Sequence, residues 1–207
     1  MVGEEKLNSI SHSIASVVSV IGLILLIKKC DGHGLKLFCS ITYGFSLIIL
    51  YTSSALYHGI KQQTIKRLFR ILDHCSIYFL IAGTYTPILL ISINGNTGWW
   101  FFGIQWTLAF IGIVFKIFFT GKYESLSISI YLIMGWMITI KWNQLTYLIS
   151  DSSFYLLLIG GIIYTIGIFF YLFDSKIKYF HFVWHLLVIT GSILHYIAIY
   201  KYVILPT

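Results

Sequence analysis

His181 and His185 stand four residues apart in the stretch FHFVWHLLVITGSILH (180–195), and His195 follows ten residues after His185 in the same apolar run. On a helix, residues four apart share a face with their Cβ atoms about 6 Å apart. Two imidazoles so placed at the mouth of an apolar helix can clamp one metal ion. Ser54 and His58 repeat the four-residue spacing in SSALYH (53–58), and Asp73 lies near the start of LDHCSIYFLIAGTYTP (72–87). A site that activates water needs these residue types: neutral imidazoles as ligands, a carboxylate to take a proton, a hydroxyl to hold the water. The same residues also suit a plain hydrogen-bond cluster between helices in which His58 donates to Asp73.

The elements that must carry these residues follow from composition. The chain has 207 residues, 58% hydrophobic, 18% aromatic and only 10% charged, whereas a soluble domain carries about 25% charged residues. Near-continuous apolar runs about 20 residues long recur, the length that crosses a bilayer as a helix. The fold class expected is an all-α integral membrane protein, a single seven-transmembrane-helix bundle. Spans are predicted near 13–29, 37–57, 71–91, 99–119, 125–141, 152–172 and 180–200. Polar and apolar residues do not alternate as a membrane barrel requires. The N-terminus MVGEEKLNSISH lacks the basic region and cleavage site of a signal peptide, so the first run is expected to stay as a span. Cys30, Cys39 and Cys75 are unclustered and odd in number, which fits packing residues rather than a disulfide framework.

Between the spans the connections read as short. Residues 58–70 form the most basic of them, 30–36 and 92–98 are glycine-containing turns, and 142–151 is a semi-polar loop or interfacial segment. The net charge of +7 therefore acts as an orientation signal and in contact with lipid headgroups, not in nucleic-acid binding. With the N-terminus inside, Lys6, Lys61, Lys66, Arg67, Arg70, Lys116, Lys122, Lys176 and Lys178 fall on the cytoplasmic side, nine against the five of Lys28, Lys29, Lys36, Lys141 and Lys201. A cytoplasmic N-terminus in a bacterial inner membrane is the expectation. Parity then puts the end of the second span, the start of the third and the start of the seventh in one cytoplasmic layer, with Glu4, Glu5, Asn8 and His12 at the same level. Ionisable residues in spans cost about 2.5–3.5 kcal/mol on insertion scales and so face the bundle interior. Three imidazoles and a water complete a tetrahedral zinc site with an open position; Asp73 and Ser54 suit its outer shell.

The pieces EEKLNSISH (4–12), SSALYH (53–58), LDHCSIYFLIAGTYTP (72–87), YLIMGW (131–136) and HFVWHLLVITGSILHY (181–196) occur in order along nearly the whole chain. In this combination the sequence resembles the hemolysin III family, within the progestin and adipoQ receptor (PAQR) superfamily. The resemblance implies a seven-helix bundle holding zinc near the cytoplasmic face, with His58, His181 and His185 as metal ligands. It also implies that Asp73 and Ser54 stand around a zinc-bound water and that membrane lipids are the molecules met.

Other polar residues get plainer expectations. His195 lies about 15 Å deeper than His185 along a helix, too far to share its ion, and serves as an interior hydrogen-bonding group. His74 points away from the site, His33 sits in a loop, and Glu4, Glu5 and His12 are expected to be solvated or capping or, on the family resemblance, to border the site. Thr84 and Thr86 are expected to satisfy backbone freed by a kink at Pro87, and Gly160, Gly161 and Gly167 to allow close helix approach. Trp184 walls the site. Three functions fit: a zinc-dependent hydrolase of a lipid amide or ester, a non-enzymatic protein of membrane homeostasis with structural zinc, and a cytolytic pore. A pore requires a polar stripe through several helices, whereas the polar residues gather at one end.

Overall fold

The computed structural model describes residues 2–141 and 146–204, and every regular element among them is helical. Seven long helices follow one another: α1 (Val2–Lys28), α2 (Gly34–Gly59), α3 (Gln63–Pro87), α4 (Gly95–Phe119), α5 (Glu124–Trp136), α6 (Asp151–Leu172) and α7 (Phe180–Ala198). Wider π-helical turns, Ile88–Ile93 and Ile199–Ile204, extend α3 and α7, and a 3-10 turn, Met137–Lys141, extends α5. Helices satisfy their own backbone groups, which a lipid environment demands. Between α1 and α2, Asp31 (φ 43°) and Gly32 (φ 76°) take the left-handed conformation that reverses the chain, open to glycine at no steric cost and to Asp more readily than to most residues. Ser150 caps α6 by accepting the Ser153 N–H at 3.2 Å.

Six of the helices, with their extensions, are long and apolar enough to cross a membrane. The fifth, Glu124–Ile140, is apolar but shorter, so length and composition support six spans where the sequence predicts seven. Large apolar side chains cover the outer surface: Val17, Phe110 and Phe118 are 63%, 68% and 74% exposed, as lipid contact requires. Inside, Leu26, Tyr43, Leu47, Leu50, Leu89 and Ile199 belong to one buried cluster, and Tyr78, Ala82, Ala109 and Met134 form another. All three cysteines are buried and free, as expected.

Several expectations are corrected. α1 begins eleven residues before the predicted span and α3 eight before (Val2 against 13, Gln63 against 71). Hydropathy reports only the lipid-crossing length, whereas a helix continues while its face has something to pack on. The basic stretch 58–70 is therefore mostly the first turns of α3, not a loop. Lys116, counted as a cytoplasmic charge, is completely buried and bonds Glu124 at 2.7 Å, leaving eight cations against five. At Pro87 the winding changes from α to π. Thr84 and Thr86 donate to the Leu80 and Ala82 carbonyls, not to the Gly83 carbonyl that the proline leaves without its N–H. Gly160 and Gly167 do allow close approach, since a Cβ there would lie 2.4 Å from the His195 ring and 2.7 Å from Trp184, but at Gly161 the nearest atoms are 4.0 Å away. Of the predicted segment 142–151, residues 142–145 lie outside the described residues.

Candidate metal centre

His58 closes α2, and His181 and His185 open α7 one turn apart. The three rings form a nearly equilateral triangle, with centroid separations of 5.0 Å (His58–His181), 4.9 Å (His58–His185) and 4.9 Å (His181–His185). One nitrogen from each comes within 4.8 Å of the others. His58 and His185 are buried and His181 is half-buried. Three imidazoles packed this closely offer one nitrogen each to a single cation.

Outer groups fix which nitrogen is available. His58 Nδ1 donates to Glu5 Oε2 at 3.2 Å, and Lys66 Nζ donates to the same oxygen at 3.0 Å. His181 Nδ1 donates to Asp174 Oδ2 at 2.6 Å. A carboxylate on Nδ1–H sets the tautomer, orients the ring and raises the basicity of Nε2. Accordingly, His58 Nε2 is buried with no hydrogen-bond partner among the described residues. An imidazole nitrogen so oriented and unsatisfied is what a first-row divalent cation requires, and the set of three nitrogen donors fits one. His185 is held differently. The His12 ring stacks on it at 3.8 Å and 18°, and Tyr51 in turn meets His12 edge-on at 5.0 Å.

The triangle opens into a cavity of about 760 Å³ that Ser54, Asp73 and Trp184 also line. Ser54 is buried and Asp73 half-buried, and among the described residues neither bonds a ligand imidazole. His58 rests on Glu5, so a cluster in which it donates to Asp73 is not what forms. The structure thus brings together all five residues singled out from the sequence, three as a triangle and two as cavity wall.

A model of the family described as "Haemolysin-III related" matches residues 2–196. The chain belongs to the hemolysin III family. It is 43% identical over 208 aligned positions to Hemolysin-3 of Bacillus cereus, covering 100% of this chain and 94% of that one. It is 41% identical to the Hemolysin-3 homolog of Bacillus subtilis (strain 168), covering 91% and 89%. It is also 29% identical to the human Monocyte to macrophage differentiation factor, over 96% of this chain and 84% of that protein. Family membership and the six long apolar helices together make this a multi-pass membrane protein.

Sequence reasoning gave no role to four residues at this site, Glu5, Asn8, His12 and Asp174; Glu5 and His12 border the site rather than being only solvated or capping, since Glu5 bonds His58 and His12 is buried on the cavity wall. The first three carry a legible signal, since spacings of three and four put them on one helical face once α1 is known to start at Val2. Asp174 lies in the turn between α6 and α7 and has no such periodicity. His74 lines the cavity as well, with Nδ1 3.9 Å from Glu124 Oε2, so it belongs to the Lys116–Glu124 ion pair on the α4–α5 side. His195 keeps its expected role, its Nε2 3.0 Å from the Leu157 carbonyl.

Proposed function

We propose that this hemolysin III family protein binds zinc at His58, His181 and His185 and hydrolyses an amide or ester bond of a membrane lipid, as part of membrane homeostasis. The observation that carries the reading is the triangle itself, in which two of the three imidazoles are already oriented by carboxylates and all three face a cavity. When bound, zinc supplies a Lewis acid for the carbonyl oxygen and makes water a competent nucleophile near neutral pH. The protein's own groups do the rest. Glu5 and Asp174 hold the Nδ1 protons of His58 and His181, so that both rings keep one orientation. Asp73 accepts a proton at its carboxylate and returns it to the departing amine or alcohol, and the Ser54 hydroxyl holds the attacking water in line.

In this reading α5 with its extension is a seventh crossing, since about 17 residues suffice at the lower limit. The corrected charge count still favours a cytoplasmic N-terminus in the bacterial inner membrane, which puts the metal centre at the inner leaflet. The name hemolysin, carried by both Bacillus relatives, favours a second reading, cytolysis. Purified protein should carry about one zinc per chain and release product from a panel of ceramide and phospholipid substrates. Asp73→Asn should retain the metal and lose the product. Zinc-loaded protein inert toward every lipid, with full physiological complementation by Asp73→Asn, would leave zinc a structural role. Leakage of dye-filled vesicles would support cytolysis.

A further inference from the structure

From the α1 wall of the metal cavity we infer a second binding element: Asn8 and His12 form a hydrogen-bonding subsite for a neutral hydroxyl or amide group of a lipid head. This inference rests on the reading of the cavity as a lipid site, and it assigns residues and a ligand chemistry that the metal triangle does not. Asn8 and His12 are 2% and 3% exposed and both line the cavity. Asn8 Oδ1 and both ring nitrogens of His12 are buried without a hydrogen-bond partner among the described residues. Three unsatisfied polar atoms on one turn of one helix are costly in an apolar bundle, and the two residues that carry them line the space into which the triangle opens.

The atoms define what they can hold. The Asn8 carbonyl oxygen accepts, and a neutral imidazole donates from one nitrogen and accepts at the other. A complementary group must therefore offer both a proton and a lone pair, as a hydroxyl or an amide does. A phosphodiester only accepts, and would set its oxygens against two acceptors. Five carboxylates around the cavity (Glu4, Glu5, Asp73, Glu124 and Asp174) against three cations (Arg70, Lys176 and Lys178) also disfavour an anionic head. His12 stacks on His185, so a group bound at this subsite adjoins the metal ligands.

The test is calorimetric titration of the full-length protein in detergent with N-octanoylethanolamine and, separately, octyl phosphate. His12→Phe keeps the ring on His185 and its edge contact with Tyr51 while removing both nitrogens; Asn8→Ala removes the acceptor. Each is expected to weaken N-octanoylethanolamine binding about tenfold, the worth of one lost hydrogen bond, with octyl phosphate affinity and bound metal unchanged. Equal amide affinity in wild-type and His12→Phe would overturn the inference. So would loss of metal from His12→Phe, which would make His12 a positioning residue for His185. Metal analysis of His58→Ala separates the two readings: zinc retained there refutes the metal assignment alone, whereas equal amide affinity in wild type and His12→Phe refutes the subsite alone.

Discussion

Removing the carboxylate that holds His181 or His58 tests the candidate metal centre without touching a proposed ligand. Asp174 Oδ2 receives His181 Nδ1–H at 2.6 Å, with both side chains about three-quarters buried (23% and 25% exposed). Glu5 Oε2 receives His58 Nδ1–H at 3.2 Å, is 43% exposed and divides itself with Lys66. A hydrogen bond to a charged group contributes about 1.5–3 kcal/mol, which is about 10- to 100-fold in affinity and agrees with the usual effect of such outer partners on metal sites. The short, more buried Asp174 bond belongs at the upper end, the longer, shared Glu5 bond at the lower. Asp174→Asn should therefore weaken zinc about 100-fold and Glu5→Gln about tenfold, read by chelator competition on purified protein. An amide in place of the acid keeps the size of the side chain, so the helical far-UV spectrum should not change. The reasoning fails if Asp174→Asn binds zinc within twofold of wild type, or if Glu5→Gln is the more damaging of the two.

Metal analysis should find zinc lost from His58→Ala and retained in His195→Ala, whose ring bonds Leu157 instead. Gly160→Ala should lower the detergent melting temperature by the equivalent of about 1–3 kcal/mol of overpacking, because its Cβ meets the His195 ring, while Gly161→Ala, with nothing nearer than 4.0 Å, should melt like wild type. Glu124→Leu strands the fully buried Lys116 ammonium and should cost about 3–5 kcal/mol in the same melt; adding Lys116→Met should recover most of it. Reporter fusions to the two ends should place the N-terminus inside and the C-terminus outside if α5 crosses, and both on one side if it does not.

How much was legible varied with the kind of signal each residue gives. The all-helical membrane architecture was open to reading because apolar runs are long and charges scarce. His58, His181 and His185 stood out because polar residues inside such runs are expensive, and the two pairs four apart needed only helices to align them. The reach of α1 and α3 beyond the apolar core was not legible by hydropathy, and with it went the burial of Asn8 and His12 and the role of Glu5. Lys116 misled for a related reason: a lysine near the end of an apolar run looks like a loop charge until Glu124, eight residues on, turns back to meet it. Asp174 could not have been found at all, since a turn residue's partner depends on where two helices converge.

The division between the three imidazoles and their carboxylate partners has a physical reason. The imidazoles come from α2 and α7 where those helices enter the apolar layer, and a neutral imidazole costs less there than an ionised group. Their carboxylates come from the first turns of α1 and from the α6–α7 turn, because an ionised acid deep in a span costs several kcal/mol and at the membrane edge far less. A metal centre that needs both must therefore lie at the depth where the two supplies meet. One helical turn deeper, His185 has no carboxylate partner among the described residues and is steadied by the aromatic face of His12 instead. The depth at which acids give way to rings thus marks the floor of the polar layer. On the proposed function, a charged head stays above that floor, and the proposed subsite at His12 takes only a neutral hydroxyl or amide.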